Sequence, residues 1–231
     1  MVKCPAGTFI MGSPGGESGR YDNETQHQVT ISKTFYIGKY EVTQKEYEAV
    51  MGKNPSYLKE GNRPVVWVDW NDAKEFCDKL NKYAKNIPDG YRFDLPNEVQ
   101  WEYACRAGTT TALNNGQDLD TTTGFCSNLN ELGWYRSNSG EEIHKVGKKK
   151  PNAWGIYDMH GNVCEWCRDL YNDYSTSAVT DPMYNSGSNR VFRGGSWGSD
   201  AWCCRSANRY NCAPDLRNSK IGFRLALVPI D

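Results

Sequence analysis

Cysteine is the residue type best able to do chemistry in this chain of 231 residues, and nine are present, at positions 4, 77, 105, 126, 164, 167, 203, 204 and 212. Thiolates bind soft metal ions and attack electrophiles, but a lone thiol is a poor site for either task. Cys164 and Cys167 make a C-x-x-C with no second pair, which is weak support for zinc and reads as two packed thiols. Cys203 and Cys204 are adjacent, so a strand would send them to opposite faces. His27, His144 and His160 show no ligand or triad spacing, and no Ser-His-Asp or paired-carboxylate constellation stands out. A chain of this length does not need disulfides to fold, so cysteine usage leaves the compartment open.

A second concentration of functional groups runs from Arg190 to Leu227, RVFRGGSWGSDAWCCRSANRYNCAPDLRNSKIGFRLAL. Its ends read as strands: RVFRGGSW is β-branched and aromatic, and Phe223, Leu225 and Leu227 alternate with Arg224 and Ala226. Between them, Gly198 to Lys220 keeps neither a period of 2 nor of 3.6 and mixes Ser, Asn, Asp, Cys, Tyr and Arg. A mixed, irregular segment between two strands is how a scaffold presents a recognition surface, an ordinary long loop being the alternative. Trp202 and Tyr210 offer large amphipathic rings, and Ser199, Asp200 and Asn211 adaptable hydrogen bonds. Arg205, Arg209, Arg217 and Arg224 are expected to pin the loops from below.

The elements that must position this stretch are short. Thr43 and Glu46 form a capping-box pair ahead of a helix ending near Gly52. From Asp72 the residues Ala73, Phe76, Cys77, Leu80 and Ala84 recur at helical spacing, which puts Cys77 on a buried face as a small core residue. Asn97 and Gln100 cap a short helix carrying Val99, Trp101, Ala104 and Cys105, ended by Gly108. Thr109 to Lys150 is polar, broken by Gly, and expected to run over the surface.

Composition narrows the function classes. With 27 Lys+Arg against 28 Asp+Glu, no net field draws the chain to nucleic acid or an anionic membrane. No apolar run reaches spanning length, the opening MVKCPAGTF lacks a signal-peptide core, and Cys4 follows no lipobox. The aromatic content (8 Trp, 14 Tyr, 7 Phe) and 22 Gly suit one compact, loop-rich α+β domain over residues 1–231, with two main helices.

The landmarks GTFIMGS, FYIGKYEVTQKEY, PVVWVDWNDAKEFC, YRFDLPNEVQWEYACRAG, PNAWGIYDMHGNVCEW, RGGSW, RSANR and GFRLA occur in that order. Together they resemble the formylglycine-generating-enzyme (sulfatase-modifying factor) family. The resemblance implies a C-type lectin-like fold of short antiparallel strands, two main helices and extensive irregular loop. In that family two cysteines after Gly-Gly-Ser bind copper(I) and oxidise a peptide cysteine; here the first position holds Ser199 and the second Cys204. The resemblance therefore implies a non-enzyme, with a copper-dependent oxidase as the alternative. It also implies a structural Ca²⁺ held by the Asp158 side chain, the Gly161 and Val163 carbonyls and the Glu165 side chain, hard oxygen donors that suit this ion. A metal-free turn capped by the two carboxylates is the other reading.

Within the family, RVFRGGSW, CRSANR and IGFRLA resemble the variable proteins of diversity-generating retroelements, in which adenine-directed copying errors change chosen codons. Gly198, Ser199, Asp200, Cys203, Tyr210, Cys212, Leu216 and Ser219 are reachable from an AAC codon by adenine changes alone, and Asn208, Asn211 and Asn218 could be unaltered. Trp202 and Lys220 need another template codon. This resemblance implies a ligand-binding display protein with its variable region at 191–227. The expected ligand-binding residues are Gly198, Ser199, Asp200, Trp202, Cys203, Tyr210, Asn211, Cys212, Leu216 and Ser219, exposed on one face above buried Trp197, Arg205, Phe223 and Leu225. It further implies a monomer exported to the cell surface, with a protein or other macromolecule as partner, no nucleic acid and no membrane insertion.

Overall fold

The computed structural model describes residues 1–85 and 87–230. Four short strands open the chain: β1 (Val2–Cys4), β2 (Gly7–Met11), β3 (His27–Ile31) and β4 (Phe35–Ile37). Helices α1 (Gln44–Met51) and α2 (Trp70–Tyr83) precede β5 (Tyr91–Asp94), α3 (Glu98–Arg106) and a single turn, α4 (Ser127–Asn130). Then come β6 (Cys164–Leu170), β7 (Val179–Thr180), β8 (Arg190–Arg193), a 3-10 turn at Ala201–Cys204, β9 (Tyr210–Cys212), β10 (Ile221–Gly222) and β11 (Ala226–Pro229).

The class is α+β, in three small sheets ordered β1-β4-β11-β5, β10-β6-β8-β9 and β2-β3-β7. The sheets are not all antiparallel as expected, since β10 runs parallel to β6 and β7 parallel to β3. Both exceptions are two-residue edge strands, where a returning loop satisfies a few exposed backbone groups without a long ladder.

Helix starts follow side-chain chemistry. At α1, Thr43 and Glu46 form the expected reciprocal capping box, and Gly52 closes the helix with φ 73°. Helix α2 begins earlier than the Asp72 expected. Its cap is Asp69, whose carboxylate accepts from the Asp72 amide at 2.8 Å while the Asp72 carboxylate accepts from the Asp69 amide at 3.2 Å. Glu75 stands at the same spacing after Asp72, but the reciprocal cap forms between Asp69 and Asp72. Helix α3 is capped by Asn97 and Gln100 as expected, but ends at Ala107 in a left-handed turn rather than at Gly108. At nine residues against eight in α1, it is a third main helix where two were expected.

Two apolar clusters flank the β6–β8 sheet. One joins α3 to β2–β4 through Trp101, Phe35 and Met11; the other joins α1 and α2 to the sheet through Tyr47, Phe76, Trp166 and Phe223. Cys77, Cys164 and Cys167 are buried, and burial raises all three thiols above their ordinary range, so they are neutral packing groups. The segment 109–150 is not the surface excursion expected. Leu113, Cys126, Leu129 and Tyr135 form a third cluster with Ala201 and Cys204, directly under the C-terminal loop. These apolar residues are too widely spaced to show a period, so their burial is set by the loop's path rather than by an element.

Candidate functional site: a loop face over buried arginines

β8 leaves the sheet through Gly194 and Gly195, both with positive φ (96° and 72°). A Cβ on Gly195 would lie 2.6 Å from the Cys204 sulfur, so only glycine lets the turn press onto the 3-10 segment. The Ser199 hydroxyl then accepts from the Ser196 amide at 3.1 Å and bonds the Ser196 hydroxyl at 2.9 Å. Both Asp200 carboxylate oxygens accept from Arg136 Nη1, at 2.9 and 3.0 Å. The middle of the segment is not free loop, because β9 (Tyr210–Cys212) pairs antiparallel with β8.

Ser199, Asp200, Trp202, Tyr210, Asn211, Cys212 and Ser219 are half-buried, and Leu216 is exposed. The Phe192 and Tyr210 rings stack at 5.4 Å, Tyr210 meets Trp202 at 6.5 Å, and Tyr21 meets Trp202 at 5.3 Å. The Asn189 side-chain amide donates to the Asn211 side-chain oxygen Oδ1 at 2.8 Å. Four expectations need correction. Gly198 and Cys203 are buried, Gly198 lying under Lys220 and Cys203 holding the Tyr210 hydroxyl. Trp197 and Leu225 are half-buried rather than buried, whereas Arg205 and Phe223 are buried as expected. Of the three asparagines, Asn208 is buried and Asn211 and Asn218 are half-buried.

Four arginines of the segment are at most 3% exposed: Arg193, Arg205, Arg209 and Arg224. Arg205 bonds Glu17 at 2.6 Å and both oxygens of Glu24 at 2.8 and 2.7 Å. Arg209 bonds both oxygens of Glu98 at 2.6 and 2.8 Å, and Arg193 reaches Glu98 at 2.7 Å and Glu102 at 2.6 Å. Burial opposes ionisation of Glu98, but the guanidiniums of Arg209 and Arg193 outweigh it and hold the carboxyl down at about 2. These planar two-point contacts fix backbone direction, which a single lysine charge would not do. Arg217, which is exposed, ties the loop to Asp69 at 2.7 Å, at the cap of α2.

The arginines are legible in the sequence, but their carboxylate partners are not. A signal existed: Glu98 and Glu102 sit four apart on one helix face, an arrangement that repels unless cations answer it.

The chemistry expected of a copper oxidase is not assembled. Cys204 is fully buried, and burial pushes its thiol well above the ordinary range, away from the thiolate that a soft ion needs. Ser199 offers a hydroxyl already bonded to Ser196. Among the described residues no group of three or more His, Cys, Asp and Glu is placed to hold a metal.

The carboxylates expected to hold calcium are only partly free. Both Glu165 oxygens are taken, by Arg224 at 2.5 and 2.6 Å and by the Trp101 indole at 2.7 Å. Each Glu165 oxygen thus already carries a bond from the Arg224 guanidinium, and Glu165 does not fit as a ligand while that pair stands. Asp158 is 2% exposed; one oxygen accepts from the Gly147 amide at 2.7 Å and the other, Oδ1, has no partner. Glu41, which the sequence reading missed, joins this centre by accepting from the Asn162 side chain at 2.7 Å and the Val163 amide at 3.1 Å. Burial and the neighbouring Asp158 and Glu165 charges raise Glu41 well above its usual range.

Comparison with known proteins places these features. Treponema denticola variable protein 1 superposes with a TM-score of 0.86 at 33% identity, covering 99% of this chain and 95% of that one. PvdO from Pseudomonas aeruginosa gives 0.81 at 32%, covering 97% and 92%. The formylglycine-generating enzyme of Streptomyces coelicolor is 33% identical, covering 97% of this chain and 88% of its own. The family model for the sulfatase-modifying factor enzyme 1-like domain matches residues 1–228, and the chain belongs to that family.

Proposed function

We propose that the protein is a non-catalytic ligand-binding protein whose C-terminal face is diversified by a retroelement to change what it binds. The observation that carries this reading is the division of the segment into two layers. Arg205 and Arg209 are buried and bonded to Glu17, Glu24 and Glu98, while Ser199, Asp200, Trp202, Tyr210, Asn211, Cys212, Leu216 and Ser219 reach solvent between them. A backbone held from beneath leaves the side chains above it free to change, because surface substitutions usually cost within about 0.5 kcal/mol. The Tyr210 and Trp202 rings supply contact area at low entropy cost. The likeness to Treponema denticola variable protein 1 supports the same reading.

The partner is a protein or other macromolecule, engaged by a monomer displayed at the cell surface. Calcium enters only as a structural ion: Asp158 has a free buried oxygen for it, whereas Glu165 joins only by releasing Arg224. Incubation with copper(I), dioxygen and a cysteine-bearing sulfatase-type peptide should leave the thiol unconverted. Turnover that vanishes in Cys204→Ser would overturn the reading. In the DNA, a near-identical repeat of the segment encoding Val191–Leu227 should lie beside a reverse-transcriptase gene, and its absence would remove the diversification.

A further inference from the structure

Two clefts meet at Trp197. One, of about 360 Å³, is lined by Arg136, Glu141, Trp197, Gly198 and Lys220. The other, of about 190 Å³, has Tyr57, Leu58 and Trp67 among its walls and shares Trp197 and Glu141 with the first. Tyr57 is 92% exposed, Leu58 49% and Trp67 41%, an apolar group open to solvent.

In the first cleft Lys220 lies across Gly198, where an added Cβ would come within 2.7 Å of its ammonium nitrogen. That nitrogen stands 5.2 Å from the centre of the Trp197 ring and has no carboxylate partner among the described residues. Arg136 spends Nε on the Gly198 carbonyl at 3.2 Å and Nη1 on Asp200, leaving Nη2 unbonded among the described residues. Two cationic groups therefore face one cavity with donors to spare. Glu141 borders both clefts and offsets part of this positive charge, so a single carboxylate matches the site better than a multiply charged phosphate or nucleic acid.

The geometry points to a carboxylate-binding subsite at Lys220 and Arg136, floored by Trp197, with an apolar subsite beside it at Tyr57, Leu58 and Trp67. The partner is then a protein segment carrying an acidic residue next to an apolar one. The inference rests on the ligand-binding reading and gives it a fixed component, since Arg136, Tyr57, Leu58 and Trp67 lie outside the variable region at 191–227. Fixed anchors of this kind let a changing face keep one class of partner.

The test titrates the whole protein with two blocked peptides, acetyl-Leu-Glu-amide and acetyl-Leu-Gln-amide, following the Trp197 indole resonance, identified by its loss in Trp197→Phe. The glutamate peptide should bind about fivefold tighter, a difference of about 1 kcal/mol. Lys220→Met keeps the stem over Gly198 and should abolish the preference, while Tyr57→Ala should weaken both peptides alike. Equal binding, no binding, or a preference that survives Lys220→Met would overturn the subsite. A failed diversification reading would show instead in the missing DNA repeat, which leaves the peptide preference untouched.

Discussion

Replacing Arg224 by methionine should lower stability by about 3–5 kcal/mol, because it removes one partner of a buried ion pair and leaves the other uncompensated. Arg224 is 0% exposed and is the cation that Glu165, Glu41 and Asp158 all face. It also donates to the Gly38 carbonyl and the Tyr157 carbonyl, each at 2.9 Å, so three parts of the chain lose their common anchor. In a chain of this size the loss appears as a fall in melting temperature of roughly 10 °C. Adding Glu165→Gln should recover part of it. Calcium should also raise the melting temperature of Arg224→Met, since losing the guanidinium frees Glu165 beside the open Asp158 oxygen for a hard cation. A variant as stable as the parent would mean that the three carboxylates do not depend on Arg224.

Phe223→Ala should cost a similar amount, about 3–5 kcal/mol, by a different route. Phe223 is fully buried, with its ring 5.4 Å from Phe76 and 6.2 Å from Tyr47, and Tyr47 stacks on Phe76 at 5.6 Å. Deleting one of three interlocked rings leaves a cavity that α1 and α2 cannot fill without moving, and aromatic pairing adds to the loss. Chemical denaturation should show a lower midpoint with an unchanged slope. Trp197→Ala should fall well short of this figure, because Trp197 is only half-buried.

The parts legible in the sequence are those whose physics is local. Thr43–Glu46 and Asn97–Gln100 announce their helices because a capping box is complete within four residues. Asp72 is ambiguous because Asp69 and Glu75 stand at the same spacing on either side of it, and the reciprocal cap forms with Asp69. Cys203 was expected in solvent, yet it is buried against Tyr210, a contact that depends on β9 pairing with β8. Trp197 reads as core from its ring alone, but its indole bonds the Ser219 carbonyl at 3.2 Å and stays half in solvent. At the buried carboxylates the cause is distance: Glu41 meets Asn162, and Glu24 meets Arg205, across 121 and 181 residues. Composition and period carry no information at that separation.

The separation of a changeable face from a fixed scaffold is tested most directly by one melting curve. A variant with Ser199, Asp200, Asn211, Cys212, Leu216 and Ser219 all replaced by alanine should unfold in a single cooperative transition. Leu216 is exposed and the other five are half-buried, and at about 0.5 kcal/mol each the six changes amount to about 3 kcal/mol. Its melting temperature should therefore stay above that of the single Phe223→Ala variant; a sixfold variant that melts below Phe223→Ala, or without cooperativity, would show that the face is part of the scaffold.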